Sequence, residues 1–545
     1  MNLLNSKIIV AKNIKMDREL KNVIDYTPQQ LLNLMSDEDH LVASDNYYSF
    51  IRTETNLIQT HFNYDQILNA NYIAFQNSDY SNKWFFAFID EVIFKGPANT
   101  EIRFTVDSFS TFNKDLNYGN SYVIREHVND DTIGANTVPE NIDVGEIISK
   151  DTTGVDDLQS ANYLIAMATS ATPDSGSVVY PAIPRVRKFA GITVFNKIYS
   201  GKEIVLFRSR DALEKFIDRM NKDGVVDLIS DLFVVPSCLF DLATLGEDFA
   251  YDSTEAVDTE KFYFYYPPYS DVVKVINKSV DKNYSFSGYT PKNNKLYCYP
   301  YNYLLVTNNV GGTNIYKYED FSANTCTFDI IGALTIGGSF KLIPRNYKGV
   351  NENFDESIPL AKFPTCSWSS DSYINWLTQE ATNTLSGGIT SIVQGAVAGA
   401  STGGGQGAVI GAGITAVGEV FNAIDKFDSS KLLPNQIGGA STGDVTWASG
   451  NNNFLFRRMH CKPEYLRIAD NYFTRFGYKV NRLKTPNITG RRYFNYVQIA
   501  SSDDVASGSI PNIYMDEINK AFRKGITIWH DHNSIGNYSV SNTII

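Results

Sequence analysis

The sequence predicts a mainly β protein with short helices, of the α+β class. Tyr and Phe number 33 each among 545 residues, and both favour strands. Apolar and β-branched runs recur through the first 370 positions, separated by Asn-, Gly-, Asp- and Ser-rich text that reads as loops. Helical signals are short and scattered among them. With 43% apolar and 20% charged residues the chain buries a real core, which excludes disorder. At roughly 150 residues per domain, the length suggests about three or four domains, or fewer large β ones.

Glu101 to Asp107 alternates polar and apolar residues, as a half-buried strand does. Trp84–Phe94, Lys261–Tyr266 and Cys326–Leu342 are rich in aromatic and β-branched residues and also read as strands. Thr27-Pro28-Gln29-Gln30 has an N-cap, a proline at the first helical position and Gln at the capping-box site. Asp211–Gly224 places Leu213, Phe216, Ile217 and Met220 on one helical face. Pro463–Gly477 puts Tyr465, Ala469, Tyr472 and Phe476 on a stripe, and Pro511–Gly525 forms a fourth helix. The expected division is a β-rich part over 1–150, a middle or insert domain over 151–290, a β-rich part over 291–370, a hydrophobic loop over 371–450 and a C-terminal part over 451–545.

The loop obeys different rules. Ala381–Gly418 holds 38 residues without a charge or an aromatic ring. Gly395, Gly399, Gly403, Gly407 and Gly411 recur every fourth residue, the spacing that lets membrane helices approach backbone to backbone. The triplet Gly403–Gly405 divides the region into two arms of about 20 residues, each about 30 Å long if helical, which is the thickness of a bilayer core. Leu385, Ile389, Ile392, Val393 and Val397 supply the apolar surface of the first arm; Val409, Ile410, Ile414, Val417 and Phe421 supply that of the second. Glu419 is the one charge, towards the far end. Trp368, Trp376 and Trp447 flank the segment as interfacial belts do. A buried packing hairpin and a plain linker are the competing readings. A free linker has more Ser and less Val and Ile, and a constitutive anchor has more Leu and less Gly. The composition favours a segment hidden first and inserted later.

Other motifs fail on context. Gly399–Gly403 and Gly439–Gly443 both read Gly-Ala-Ser-Thr-Gly and match the nucleophile elbow around Ser401 and Ser441, but neither sits between a strand and a helix. Gly411-Ala-Gly-Ile-Thr-Ala416 fits a loose dinucleotide fingerprint without a βαβ unit. His530-Asp531-His532 offers two metal ligands without a closed set and reads as a solvated loop; Asp37-Glu-Asp-His40 reads as an exposed acidic loop. No catalytic residue, metal or cofactor is expected. The five cysteines, Cys238, Cys298, Cys326, Cys366 and Cys461, lack C-x-x-C spacing and read as buried, reduced thiols. Asn and Lys break the apolar run that a signal peptide needs, so no secretion signal is expected.

A formal charge of −12 excludes a scaffold that wraps nucleic acid. The exception is Phe454–Phe494, where ten Lys and Arg against Glu464 and Asp470 give a local +8. Contact with DNA phosphate or anionic lipid is one reading; pairing with acidic surfaces of a neighbouring subunit is the favoured one.

Tyr122–Glu140 with Gly145-Glu146, Asp470–Arg482 with Pro486-Asn487, Arg492–Tyr496, Gly525–Trp529 and Ile535–Ser539 together resemble the tail knob (distal tail) proteins of small Picovirinae-type podoviruses, typically of Gram-positive hosts. These pieces span the chain in the family's order, although nothing between about 150 and 290 matches. The resemblance implies a β-barrel-rich, tail-tube-like protomer in a homohexameric ring at the virion tail tip, interrupted late by a long hydrophobic Gly-rich loop. It further implies that the loops plug the lumen, then enter the host cell membrane as a channel for DNA ejection. The implied partners are the lower collar or tail nozzle protein, the viral DNA in the lumen, the host membrane and a tail-tip cell-wall hydrolase. A secreted pore-forming toxin and a tail-associated cell-wall hydrolase are the alternatives.

Overall fold

The computed structural model describes residues 6–48, 51–54, 56–77, 81–159, 275–308, 311–332, 339–360 and 453–545, with the shorter pieces 163–169, 193–194, 197–198, 203–207, 229–239, 246–248, 261–265 and 365–367. The chain forms two compact units, neither continuous in sequence. The first comprises Met1–Ile147, Ser285–Tyr301 and Cys461–Ile545; the second comprises Ile148–Tyr284 and Asn302–His460.

The first unit begins with a seven-stranded antiparallel sheet, in the order Leu41–Tyr48, Ser6–Ala11, Tyr72–Asn77, Trp84–Gly96, Asn99–Val106, Leu57–Thr60, Ile51–Glu54. The alternation expected around Glu101–Asp107 is realised: Thr100, Ile102, Phe104 and Val106 are buried and the residues between them face outwards. Pro28–Met35 is helical, and its capping box forms as expected. The Thr27 side chain accepts from the Gln30 N–H at 3.3 Å, while the Thr27 N–H donates to Gln30 Oε1 at 2.8 Å.

A five-stranded sheet follows, ordered Asn22–Ile24, Ile526–Trp529, Phe494–Ile499, Ser121–Glu126, Tyr478–Lys484, with the first pair parallel and the rest antiparallel. Helices Pro463–Phe476 and Asn512–Lys524 bury Leu466, Ala469, Phe473, Ile518, Ala521 and Phe522 in the same core as Val123, Val497 and Ile528. The stripe expected for Pro463–Gly477 is out of phase. Ala469 faces inwards, but Tyr465 and Tyr472 are 37% and 36% exposed. Tyrosine carries a polar tip, and Tyr472 uses its ring face outside the core, under the Arg125 guanidinium at 4.9 Å.

In the second unit, one four-stranded sheet runs Ile147–Thr153, Leu455–Cys461, Asn302–Thr307, Thr313–Tyr316; another runs Ile276–Asp281, Thr325–Gly332, Phe340–Arg345, Ile358–Pro359. Six further strands pair in the order Gly246–Asp248, Lys261–Tyr265, Glu203–Phe207, Tyr163–Thr169, Ile229–Pro236, Thr365–Ser367. Phe328, Phe456, Leu304 and Tyr316 share one core with Ala166 and Leu206. The apolar run Cys326–Leu342 is a pair of antiparallel strands in register Gly332–Phe340 through Thr327–Arg345, since one strand of that length would outreach the sheet. The helix expected at Asp211–Gly224 lies outside the described residues. The architecture is mainly β with few, short helices.

Candidate functional site

The expected membrane-active segment, from Leu385 through Gly395 and Val397 to Gly411 and Phe421, lies outside the described residues, as do Ser401, Ser441 and the Gly411–Ala416 motif. Its flanks are described. Before it, Thr365–Ser367 pairs antiparallel with Ile229–Pro236. After it, the buried Asn453 side chain accepts from the Val155 N–H at 3.0 Å and donates back to the Val155 carbonyl at 3.2 Å, closing an amide ring on the backbone. Phe454 and Phe456 enter the core directly behind that clamp. Both flanks therefore belong to the second unit. Among the described residues, no helix is long and apolar enough to cross a membrane.

The basic stretch is less available than its charge count implies. Arg458 forms a two-pronged pair with Asp151, Lys462 pairs with Glu146, and Lys484 with the fully buried Glu126. Arg491 donates to the Val128 carbonyl at 2.9 Å and the Asn542 carbonyl at 3.3 Å. These four cations are engaged within the chain. Arg467 lies over Tyr289, Arg475 over Phe476 and Tyr538, and Arg492 over Tyr493.

The segments that carry the family resemblance converge in the first unit. Glu140, with a side chain 1% exposed, accepts from Lys295 Nζ at 2.5 Å, from Arg125 Nη2 and from the Lys479 N–H at 2.9 Å. Arg125 donates its other arm to the Gly477 carbonyl at 2.8 Å. Burial raises the Glu140 pKa, but the Lys295 hydrogen bond and charge outweigh it and hold the carboxyl below its ordinary value. Beside it, the buried Asp470 carboxylate accepts from the Tyr289 hydroxyl, the Lys292 N–H at 2.9 Å and the Asn293 side chain at 2.7 Å. Asp131 accepts from the Tyr478 hydroxyl at 2.5 Å. The short piece 285–301 is thereby locked to 125–140 and 470–479. Lys295, Asn293 and Asp131 were not singled out from the sequence; Lys295 in particular follows Lys292 in the polar run Lys292-Asn-Asn-Lys295, with no local signal of burial.

The histidine motifs do not form a metal centre. Asp531 caps the 3₁₀ turn His532–Ser534, accepting from the Asn533 N–H at 3.3 Å and the Ser534 hydroxyl at 2.6 Å. His530 bonds Asn495 Oδ1 at 3.0 Å, and His532 is buried, accepting from the Lys15 N–H at 3.3 Å. The solvated loop expected here is thus a packed turn, because it follows a fully buried strand whose core continues into it. His40 meets His532 edge-on at 5.2 Å, while Glu38 and Asp39 are exposed as expected. No group of three metal-ligating side chains occurs among the described residues. Burial pushes the Cys326 thiol up to about 12 and the Cys461 thiol up to about 11, so both are inert.

Comparison with known proteins bears on what this scaffold is. A family model for the C-terminal domain of tail knob protein gp9 of Bacillus phage phi29 matches residues 267–543. One for the N-terminus of caudoviral major tail proteins matches residues 4–117. Tail knob protein gp9 of Bacillus phage phi29 is 26% identical over 88% of each chain, and that of Bacillus phage PZA 25% identical over 90% of each. Among solved structures, the tail knob protein gp12 of bacteriophage C1 shares the fold with a TM-score of 0.60, over 99% of this chain and 100% of that one, at 14% identity. The gp9 model spans just over half of this chain, which therefore belongs to the phage tail knob protein family typified by phi29 gp9.

Proposed function

We propose that the chain is a structural virion protein at the distal end of a short phage tail, without enzymatic activity. Six copies form a barrel-lined tube for DNA ejection, joined to a lower collar or nozzle protein and adjoining a tail-tip cell-wall hydrolase. Their hydrophobic loops plug the lumen, then enter the host cell membrane as a channel for the genome. Besides family membership, the observation that carries this reading is the 38-residue run 381–418 without charge or ring, set in an otherwise charged chain. The net charge of −12 supports it too, since an acidic surface lets DNA slide rather than stick. Tail knob membership favours this over the toxin and hydrolase readings.

The test is dye release from liposomes. A charge near the middle of a spanning arm opposes insertion by about 2.5–3.5 kcal/mol. Val397→Asp or Ile414→Asp should abolish leakage while leaving assembly intact. Equal leakage from wild type and both variants would overturn the membrane role.

A further inference from the structure

The first unit contains a cavity of about 240 Å³ at the meeting of the C-terminal ends of helices Pro463–Phe476 and Asn512–Lys524 with the strands Asn22–Ile24 and Phe494–Ile499. Its aromatic surface is Phe476, Tyr496 and Tyr538, with the Phe476 and Tyr496 rings edge to face at 5.2 Å. Three cations line it: Lys21, Arg475 and Lys524. Lys21 pairs with Glu19. Neither Arg475 nor Lys524 forms an ion pair among the described residues. Arg475 instead has its guanidinium carbon 4.6 Å from the Tyr538 ring centre and 5.1 Å from that of Phe476, and its guanidinium N–H groups make no hydrogen bond among the described residues. Buried Tyr496 has its hydroxyl beside the same space, with no hydrogen-bond partner among the described residues.

Charge decides what such a pocket holds. Cations in the last turn of a helix are expected from the helix dipole, so Arg475 and Lys524 need weighing against it. Each helix end contributes about −0.5 charge. Against three cations, Glu19 and two helix ends leave about one net positive charge. The dipole therefore does not consume the cations. It adds backbone carbonyls that accept hydrogen bonds from hydroxyl groups. An anion alone would use the cations and waste the rings; an apolar ligand would strand the cations.

We propose that this cavity binds a phosphorylated sugar. The phosphate meets Arg475 and Lys524, the C–H face of the sugar lies on Tyr496 and Phe476, and sugar hydroxyls donate to Glu19 and to the helix-end carbonyls. A cavity of this volume holds about eight waters, which suits one sugar unit and not a longer polymer. The sugar phosphate can come from a glycan or from a nucleotide, and the two sources differ in whether a base adds to binding.

Calorimetric titration of the full chain with glucose 1-phosphate, ribose 5-phosphate, AMP, orthophosphate and glucose tests this. Both sugar phosphates should bind at about millimolar Kd or tighter, orthophosphate about tenfold more weakly, and glucose not at all. AMP binding equal to ribose 5-phosphate assigns recognition to the sugar phosphate; AMP binding about tenfold tighter assigns it to a nucleotide. Arg475→Gln and Lys524→Gln should each weaken binding about tenfold, and Arg475→Lys should fall between wild type and Arg475→Gln. Both side chains are exposed at helix ends, so an unchanged melting temperature separates lost binding from lost fold. Absence of heat with every sugar phosphate up to about 10 mM, or undiminished binding by the Arg475→Gln, Lys524→Gln double variant, would overturn the proposal.

Discussion

Glu140 shows how one carboxylate holds three stretches of chain in register. Lys295 and Arg125 have side chains 4% and 10% exposed, and their charges are answered chiefly by Glu140. Glu140→Gln strands both, which costs about 3–5 kcal/mol, whereas solvent screens an exposed pair such as Lys21–Glu19 and its loss should be small. Urea denaturation of Glu140→Gln beside Glu19→Gln should show this contrast; equal small losses would remove Glu140 from its central place. The histidines predict the pH response. His127 accepts from the Tyr496 N–H at 2.8 Å and contacts the Thr474 carbonyl at 3.1 Å. Burial and Arg491 push its pKa down to about 3, and burial pushes His532 down to about 4. Below the ordinary histidine value of about 6.5 the unfolded chain takes up protons that the folded chain refuses, so stability falls as pH falls. Between pH 6.5 and 5 His127 alone accounts for about 2 kcal/mol, and His532 acts in the same direction. Denaturation midpoints at pH 7, 6 and 5 should decline in that order and decline less in His127→Gln. None of these residues was legible as a structural centre: apart from Arg125, 15 positions from Glu140, their hydrogen-bond partners lie more than a hundred positions away, and a local pattern carries no long-range pairing.

Elements were far more legible, because their determinants are local. The Thr27 box, the Glu101–Asp107 alternation and the starts and stops of helices 463–476 and 512–524 read directly, the last two ending at Gly477 and Gly525. What failed was the facing of helix 463–476, since apolar residues surround much of it and only tertiary contacts choose Leu466 and Phe473 over Tyr465 and Tyr472. Thr27→Ala should cost about 1 kcal/mol and Thr27→Ser almost nothing, because the hydroxyl is the working group. Gly477 is the sharper case. Its φ is +66°, and a Cβ there would lie 2.1 Å from the Glu126 carbonyl oxygen, where the helix turns into the strand beside Ser121–Glu126. Gly536 has a φ of +83° with open space around it. Alanine at 536 therefore reports the left-handed strain alone, about 1–2 kcal/mol, and alanine at 477 adds the clash. Thermal melts should place Gly477→Ala well below Gly536→Ala; coincident melts would mean that the junction gives way without cost.

At the scale of the whole molecule, the first unit is assembled from 1–147, 285–301 and 461–545, so the recognisable motifs near 122–140 and 470–496 become neighbouring strands of one sheet. Motif order along the chain was visible in the sequence; that discontinuity was not, because strand partners are chosen by burial across hundreds of residues. The uncharged segment, by contrast, is inserted within the second unit, where the pairing of Thr365–Ser367 and the Asn453–Val155 clamp hold its flanks. The described contacts that hold the flanks are made by residues outside 381–424, so a chain lacking that segment should keep both units and its assembly. On the proposed role as a tube lining, native mass measurement should read six copies for wild type and for the deletion, with melting temperatures alike, because such a lining closes as a ring of heterologous contacts. Liposome leakage should be present in the first and absent in the second. A monomer at every salt concentration would defeat the ring, and leakage that survives the deletion would move the membrane-active surface elsewhere in the chain.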